Sequence, residues 1–267
     1  MKSMFFLSLA SGSSGNCYYL GTDKYGILFD AGIGVRAIKK ILKANAIDLS
    51  QIMAVFVTHE HTDHIKSIGS LGEEYHIPIY ATYLTHEGME KSRFIEVQLS
   101  HSRRYIEKYK PTQIRDFTIT PFGVPHDASD CVGFLIEFET HKWVLATDLG
   151  HINETVAQYL RMANHLVIEA NYDREMLIQG NYPIFLKKRI MSGIGHLSNE
   201  ETATFLASNY DLHLQNIWLC HLSKENNHPE LASKTVSLAL GQLGIRACKD
   251  VMVTTLKRET PSKLFTL

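Results

Sequence analysis

Thr58-His59-Glu60-His61-Thr62-Asp63-His64 sets three imidazoles and the Asp63 carboxylate, in a His-x-His-x-Asp-His pattern, between positions 59 and 64. Neutral imidazole and carboxylate suit Zn, Mn and Fe. Four ligands so close together cannot all reach one ion without strain. Two ions side by side, each taking a pair, is the natural geometry. The apolar run Ile52–Val57 leads straight into this motif, and a helical pattern, Ile65–Glu74, leaves it. A strand therefore delivers the ligands to a turn.

Outward from this motif, apolar β-rich runs alternate with helical patterns. Strands are predicted at Met4–Ala10, Cys17–Leu20, Gly26–Asp30, Ile52–Thr58, Ile79–Ala81, Phe117–Pro121, Val132–Glu137, Lys142–Ala146, His165–Glu169, Ile217–Cys220 and Val251–Thr254. Helices are predicted at Val35–Ala44, Ile65–Glu74, Asn153–Arg161, Asn199–Ser208 and Pro229–Leu243. Ser198-Asn199-Glu200-Glu201 has a capping-box pattern. Several strands end at a polar residue: Asp30, Thr58-His59, Asp148, Glu169 and His221. Strand ends of this kind are where layered α/β proteins build sites. With no linker or repeat, one α/β domain over 1–267 is expected.

Composition excludes other classes. The 267 residues carry 27 Lys+Arg against 28 Asp+Glu, a net charge of −1, which argues against coating nucleic acid or an anionic membrane by bulk electrostatics. No apolar run reaches the roughly 18 residues of a membrane helix. Met1–Ala10 lacks the apolar core of a secretion signal. Cys17, Cys131, Cys220 and Cys248 are widely spaced, which points to a reduced, cytoplasmic setting. Cys220, beside His221, reads as a small buried strand residue, with a ligand or a thiol nucleophile as the alternatives. The 14 histidines remain to be explained.

The His-x-His-x-Asp-His run resembles the signature of the metallo-β-lactamase fold superfamily. Val124-Pro125-His126, Ala146-Thr147-Asp148 and Leu219-Cys220-His221 follow in the order that resemblance requires. It implies an αββα sandwich of two mixed β-sheets flanked by helices. It also implies that His59, His61 and His126 hold one metal, that Asp63, His64 and His221 hold the other, and that Asp148 bridges them. Asp30 in Phe29-Asp30-Ala31-Gly32 matches the first motif, a carboxylate that orients ligands. Residue by residue, alternatives stay open. Asp127 or Asp130 could replace His126, Asp148 could cap a helix, His221 could be a plain strand-end residue, and Asp30 a turn residue.

A dinuclear centre supplies an acidified water and clamps a negative transition state. Such a fold hydrolyses lactams, thioesters, lactones and phosphodiesters, so the fold alone does not choose. An Asp rather than a Cys at 148 disfavours the main β-lactamase pattern. In the nuclease branch, which includes the RNase Z and RNase J types, an additional His faces the scissile phosphate. His196 matches it, and Glu169 matches the acid that supports it. No room for the inserted domain of RNase J types exists between Asp148 and His221. Nor is there a clear arm of the RNase Z kind, although 90–110 is polar.

Ala10-Ser11-Gly12-Ser13-Ser14-Gly15-Asn16-Cys17, Ile168-Glu169-Ala170-Asn171, Asn181-Tyr182-Pro183 with Leu186-Lys187-Lys188-Arg189-Ile190, Gly195-His196-Leu197-Ser198-Asn199 and His221-Leu222-Ser223-Lys224-Glu225-Asn226-Asn227 together resemble the bacterial YycJ/VicX/WalJ family. That resemblance spans nearly the whole chain. It implies a cytoplasmic 5′-to-3′ DNA exonuclease linked to DNA repair, using two divalent ions, Zn or Mn with Fe as a further option. The expected roles are catalytic for His196, Asp148 and Glu169, and substrate-binding for Ser14, Asn16, Lys187, Lys188, Lys224 and Asn226. Lys and Arg are the usual readers of backbone phosphate. The basic cluster reads equally as solvated helix surface, and 11–16 as a plain hairpin turn. The partner is DNA, with no membrane; oligomeric state is left open. A hydrolase of cyclic phosphodiesters, lactones or thioesters, an RNA-processing nuclease, and a metal or redox protein without hydrolysis are the competing readings.

Overall fold

Apolar runs with no polar alternation call for strands buried on both faces, the habit of parallel sheets. In the computed structural model such runs form the middle of each of two seven-stranded mixed sheets. Residues 3–95 and 97–267 are described. Met1 and Lys2 of the expected 1–267 domain, and Glu96 of the polar stretch 90–110, lie outside them. The chain forms two compact units, 1–114 with 128–131 and 257–267, and 115–127 with 132–256. Each is described in turn.

In the first unit, β1 (Phe5–Gly12), β2 (Gly15–Gly21), β3 (Gly26–Phe29), β4 (Ile52–Phe56), β5 (Ile79–Ala81), β6 (Arg103–Tyr105) and the short terminal strand Phe265–Thr266 make one sheet, and β7 (Thr112–Ile114) is an edge strand of the other. β3, β4 and β5 run parallel, and helix α1 (Val35–Ala44) crosses between β3 and β4. Val35, Ile38, Ile41 and Leu42 form one apolar stripe along α1, which buries Ile38 and Leu42 in a core with Leu28, Val55, Val57 and Ile65. Helix α2 (Thr62–Ile65) begins inside the ligand motif, earlier than the expected Ile65–Glu74, which closes in a wide π-type turn at Ser70–Glu74. Asp63 in the first turn of α2 is favourable there, since helix N-termini attract negative charge.

In the second unit, β8 (Phe117–Gly123), β9 (Val132–Phe138), β10 (His141–Ala146), β11 (His165–Glu169), β12 (Asn216–Cys220) and β13 (Met252–Thr255) stand in the order β13-β12-β11-β10-β9-β8. β10 through β13 are parallel. Helix α4 (Glu154–Arg161) crosses from β10 to β11, and α8 (Pro229–Gln242) from β12 to β13. Asn153, not Asp148, caps α4. Between β11 and β12 lie α5 (Arg174–Gln179), α6 (Ile184–Ile190) and α7 (Asn199–Ser208). Ser198 and Glu201 cap α7 reciprocally, as their spacing predicts. Trp143 and Trp218, both fully buried, meet at 5.4 Å between ring centroids.

Candidate functional site

Each unit gathers chemistry at the carboxyl ends of its parallel strands. In the first, β3 ends at Asp30 and β4 leads to Thr58 and His59. Asp30 adopts a left-handed backbone, φ 58°, a conformation costly for a residue with a Cβ and typical of functional turns. A Cβ at Gly32 would stand 1.6 Å from the Asp63 carbonyl oxygen, so only glycine lets this turn pass so close to the ligand motif. Asp30 accepts from the Thr58 amide (2.8 Å), the Thr58 hydroxyl (2.9 Å to Oδ2) and His64 Nδ1 (2.7 Å). The single Thr58 hydroxyl hydrogen is spent on Asp30, so Oγ1 accepts from His59 Nδ1 at 2.9 Å. Both rings therefore carry hydrogen on Nδ1 and present the Nε2 electron pair as a ligand. Their centroids are 4.1 Å apart, and His61 stands 4.6 Å from His59. Asp30, His59 and His64 are fully buried. Burial pushes the Asp30 carboxyl above its ordinary range, against the pull of His64 and Thr58. The Asn16 amide lies 3.0 Å from His64 Nε2 and 3.3 Å from Asp63 Oδ2.

In the second unit the residues come from four strand ends and a loop. Asp148 (φ 50°) follows β10 and His221 (φ 54°) follows β12, both left-handed. Register sets Glu169 opposite Cys220 on parallel strands, which brings it beside His221. One oxygen of Glu169 accepts from Nδ1 of both His196 and His221, each at 2.8 Å. The other accepts from the amides of Leu149 (2.8 Å) and Leu197 (3.2 Å). Asp148 Oδ1 stands 3.2 Å from His221 Nδ1, 3.6 Å from His196 Nδ1 and 3.9 Å from His126 Nε2. Ligand atoms of Asp148, Glu169, His196 and His221 all lie within 4.8 Å of one another. His126 Nδ1 donates to the Gly195 carbonyl at 3.0 Å, so its Nε2 also becomes the ligand atom.

The charges of this cluster are interdependent. Burial alone would raise Glu169 and lower His196. The His196 and His221 charges and hydrogen bonds overcome it and hold Glu169 below the ordinary carboxylate range. The charges of Glu169 and Asp148 likewise hold the His196 imidazolium above its usual range against burial and His221. The cluster thus favours a protonated His196 beside two carboxylates. Imidazoles with Nδ1 committed to oxygen, flanked by carboxylates, fit a divalent cation.

Of the other candidates only Asn16 shares these contacts. Ser14 is at the exposed tip of the β1–β2 hairpin, 3.5 Å from Glu259. Asn16 is buried against the ligands. Lys187 donates to the Ile178 carbonyl at 2.6 Å, Lys188 and Lys224 are exposed, and Asn226 is buried.

Comparison with known proteins gives the family. Residues 25–211 match the β-lactamase superfamily domain. The exodeoxyribonuclease YycJ of Bacillus anthracis is 33% identical over 98% of each chain. The exodeoxyribonuclease WalJ of Streptococcus pneumoniae is 37% identical over 95% of each. The chain belongs to the YycJ/WalJ family of the β-lactamase superfamily. Its fold is shared by the metallo-β-lactamase fold protein YhfI of Bacillus subtilis, with a TM-score of 0.74 over 100% of both chains at 17% identity. In this YycJ/WalJ-family chain, Thr58 is the residue that motif reading missed. Placed just before His59, it reads as the β-branched end of a strand, yet its hydroxyl links Asp30 to both His59 and His64. Asn171 was missed also; it donates to the His221 carbonyl at 2.7 Å and braces the left-handed turn. Among the described residues, no helix is long and apolar enough to cross a membrane.

Proposed function

We propose that this protein is a metal-dependent exodeoxyribonuclease whose two ligand sets serve one dinuclear centre. His59, His61 and His126 hold one divalent ion, Asp63, His64 and His221 the other, with Asp148 common to both; Zn and Mn suit these donors. When bound, the ions supply an acidified water and positive charge for the phosphate. The observation that carries this reading is the Glu169–His196 pair, 2.8 Å apart, beside the ligand His221. A metal-orienting carboxylate would need only His221. A second imidazole, bonded to the same oxygen and 20% exposed, is placed for a reacting group.

Glu169 fixes the His196 ring through Nδ1, so Nε2–H points away from the carboxylate. From there it donates to the phosphate or to the departing 3′ oxygen, as general acids do. Asp30 and Thr58 hold the tautomers of His59 and His64. The curated relatives named exodeoxyribonucleases support DNA as substrate, and the 5′-to-3′ direction and a repair role belong to the same reading. The test is end-labelled single- and double-stranded DNA, with RNA and a chromogenic phosphodiester alongside, under Zn and Mn. Stepwise loss of nucleotides from the 5′ end of DNA is expected. Hydrolysis of the small ester alone would sink the proposal.

A further inference from the structure

Helix α6 carries no buried residue, yet it braces the second unit's catalytic cluster. The His196 amide donates to the Ile190 carbonyl at 2.9 Å. A Cβ at Gly195 would lie 2.2 Å from that oxygen, so the last turn of α6 presses directly on the loop that holds His196 and accepts from His126. Arg189 Nε donates to Asp127 at 2.5 Å, which ties the helix to the residue after His126. A helix held this firmly would be expected to bury an apolar stripe. Instead Ile184 and Phe185 are 73% and 74% exposed, and Lys187, Lys188 and Arg189 follow them with no acidic residue in the helix. Asn226, between β12 and α8, is 1% exposed, and neither atom of its amide makes a hydrogen bond. Its Oδ1 lies 2.5 Å from where a Cβ on Gly180 would be, at the turn that leads into α6. A buried amide without partners is costly unless a ligand completes it.

From this arrangement, and resting on the DNA reading above, we propose that α6 is the docking element for the free end of a DNA strand. The terminal base stacks on Phe185 and packs against Ile184, and the following phosphates meet Lys188. Aromatic faces bind bases irrespective of sequence, as an exonuclease that consumes every sequence requires. A second copy of the chain is the rival occupant. In a two-fold contact the same patch meets itself, which would set Lys187 and Lys188 against their own copies, Arg189 being paired with Asp127. A DNA end offers an apolar base face and phosphates together.

The probe is a single strand with hydrolysis-resistant first linkages and 2-aminopurine at its 5′-terminal, fifth or 3′-terminal position. With native holoprotein, fluorescence of one terminal label is expected to fall several-fold, and that of the internal label to change little. Phe185→Ala should abolish the terminal quenching and raise KM on DNA roughly 5- to 150-fold, the loss of one base–aromatic stack. Phe185→Trp should restore both. Because Phe185 is exposed, its loss does not disturb packing. Equal quenching and equal KM in Phe185→Ala overturn the proposal. So does a change in sedimentation from dimer to monomer with DNA kinetics intact, which would make the face a contact between copies. If native protein degrades no DNA at all, the exonuclease reading itself fails; if it does and Phe185→Ala matches it, only the docking role fails.

Discussion

The two units solve the same problem with opposite economies of chain. In the first, four of the proposed ligands sit between positions 59 and 64, on one turn and the start of α2. In the second, Asp148, Glu169 and His221 are far apart in the chain and meet because β10, β11 and β12 are parallel neighbours, while His126, after β8, and His196, on a loop, join them through hydrogen bonds. The first set has its own internal brace, Asp30 with Thr58. The second leans on a single carboxylate that accepts from two imidazoles and two amides. Local ligands are thus held by local hydrogen bonds, and dispersed ones by sheet register.

That contrast has measurable consequences. The largest separates holding a metal from acting on substrate. His196→Ala should lower kcat by roughly 10²- to 10⁴-fold while metal content stays at the native level; loss of metal would return His196 to the ligand set. Atomic absorption alongside turnover on labelled DNA reads both.

A property the two units share comes next. His86 in the first and His165 in the second are both buried, and burial lowers each imidazole to about 4; the neighbouring His141 adds to the effect at His165. His165 Nδ1 accepts from Asn216 and its Nε2 lies 3.0 Å from His141 Nδ1. In the unfolded chain these groups titrate near 6.5. As pH falls through about 6.5, the unfolded state binds protons that the folded state refuses until about 4. Stability is therefore full above about 6.5 and lost as pH falls toward about 4, by about 3 kcal/mol per group. Urea midpoints should drop between pH 7 and pH 4.5, and His165→Gln should flatten that slope. An unchanged slope would mean that His165 does not fold neutral.

The braces themselves test the contrast more finely. Asp30→Asn should weaken metal affinity about 10- to 100-fold, the usual cost of losing a ligand-orienting partner, without moving the pH profile of kcat. Glu169→Gln should weaken affinity to a similar degree and also shift that profile to lower pH, because it releases the imidazolium of His196. If the two variants give identical profiles, Glu169 is merely another ligand brace. The smallest effect is expected away from both sets: Ser198→Ala removes the α7 cap and should cost about 1 kcal/mol in thermal unfolding.

Much of this was legible from residue order. α1 and α7 fall where their apolar stripe and capping box put them, and Ile79–Ala81 and His165–Glu169 are strands as read. Other elements were not legible because their signal is not periodic. α6 buries nothing, so it shows no stripe, and α3 (Tyr83–Lys91) carries polar residues on both faces. Strand ends shifted by one or two residues where turns took the last polar position. In the site, the pairing of Glu169 with His196 follows from motif order. Its second bond, to His221, follows from β11–β12 register, which no local pattern encodes. Thr58 stayed hidden because its role depends on where one hydroxyl hydrogen goes.

The most direct test of joint service by the two ligand sets is metal content per chain after exhaustive dialysis, for native protein, His59→Ala and His221→Ala, each confirmed folded by circular dichroism. About two divalent ions per native chain are expected, falling in both variants. Native protein without metal, or full occupancy retained when either histidine is replaced, would contradict it.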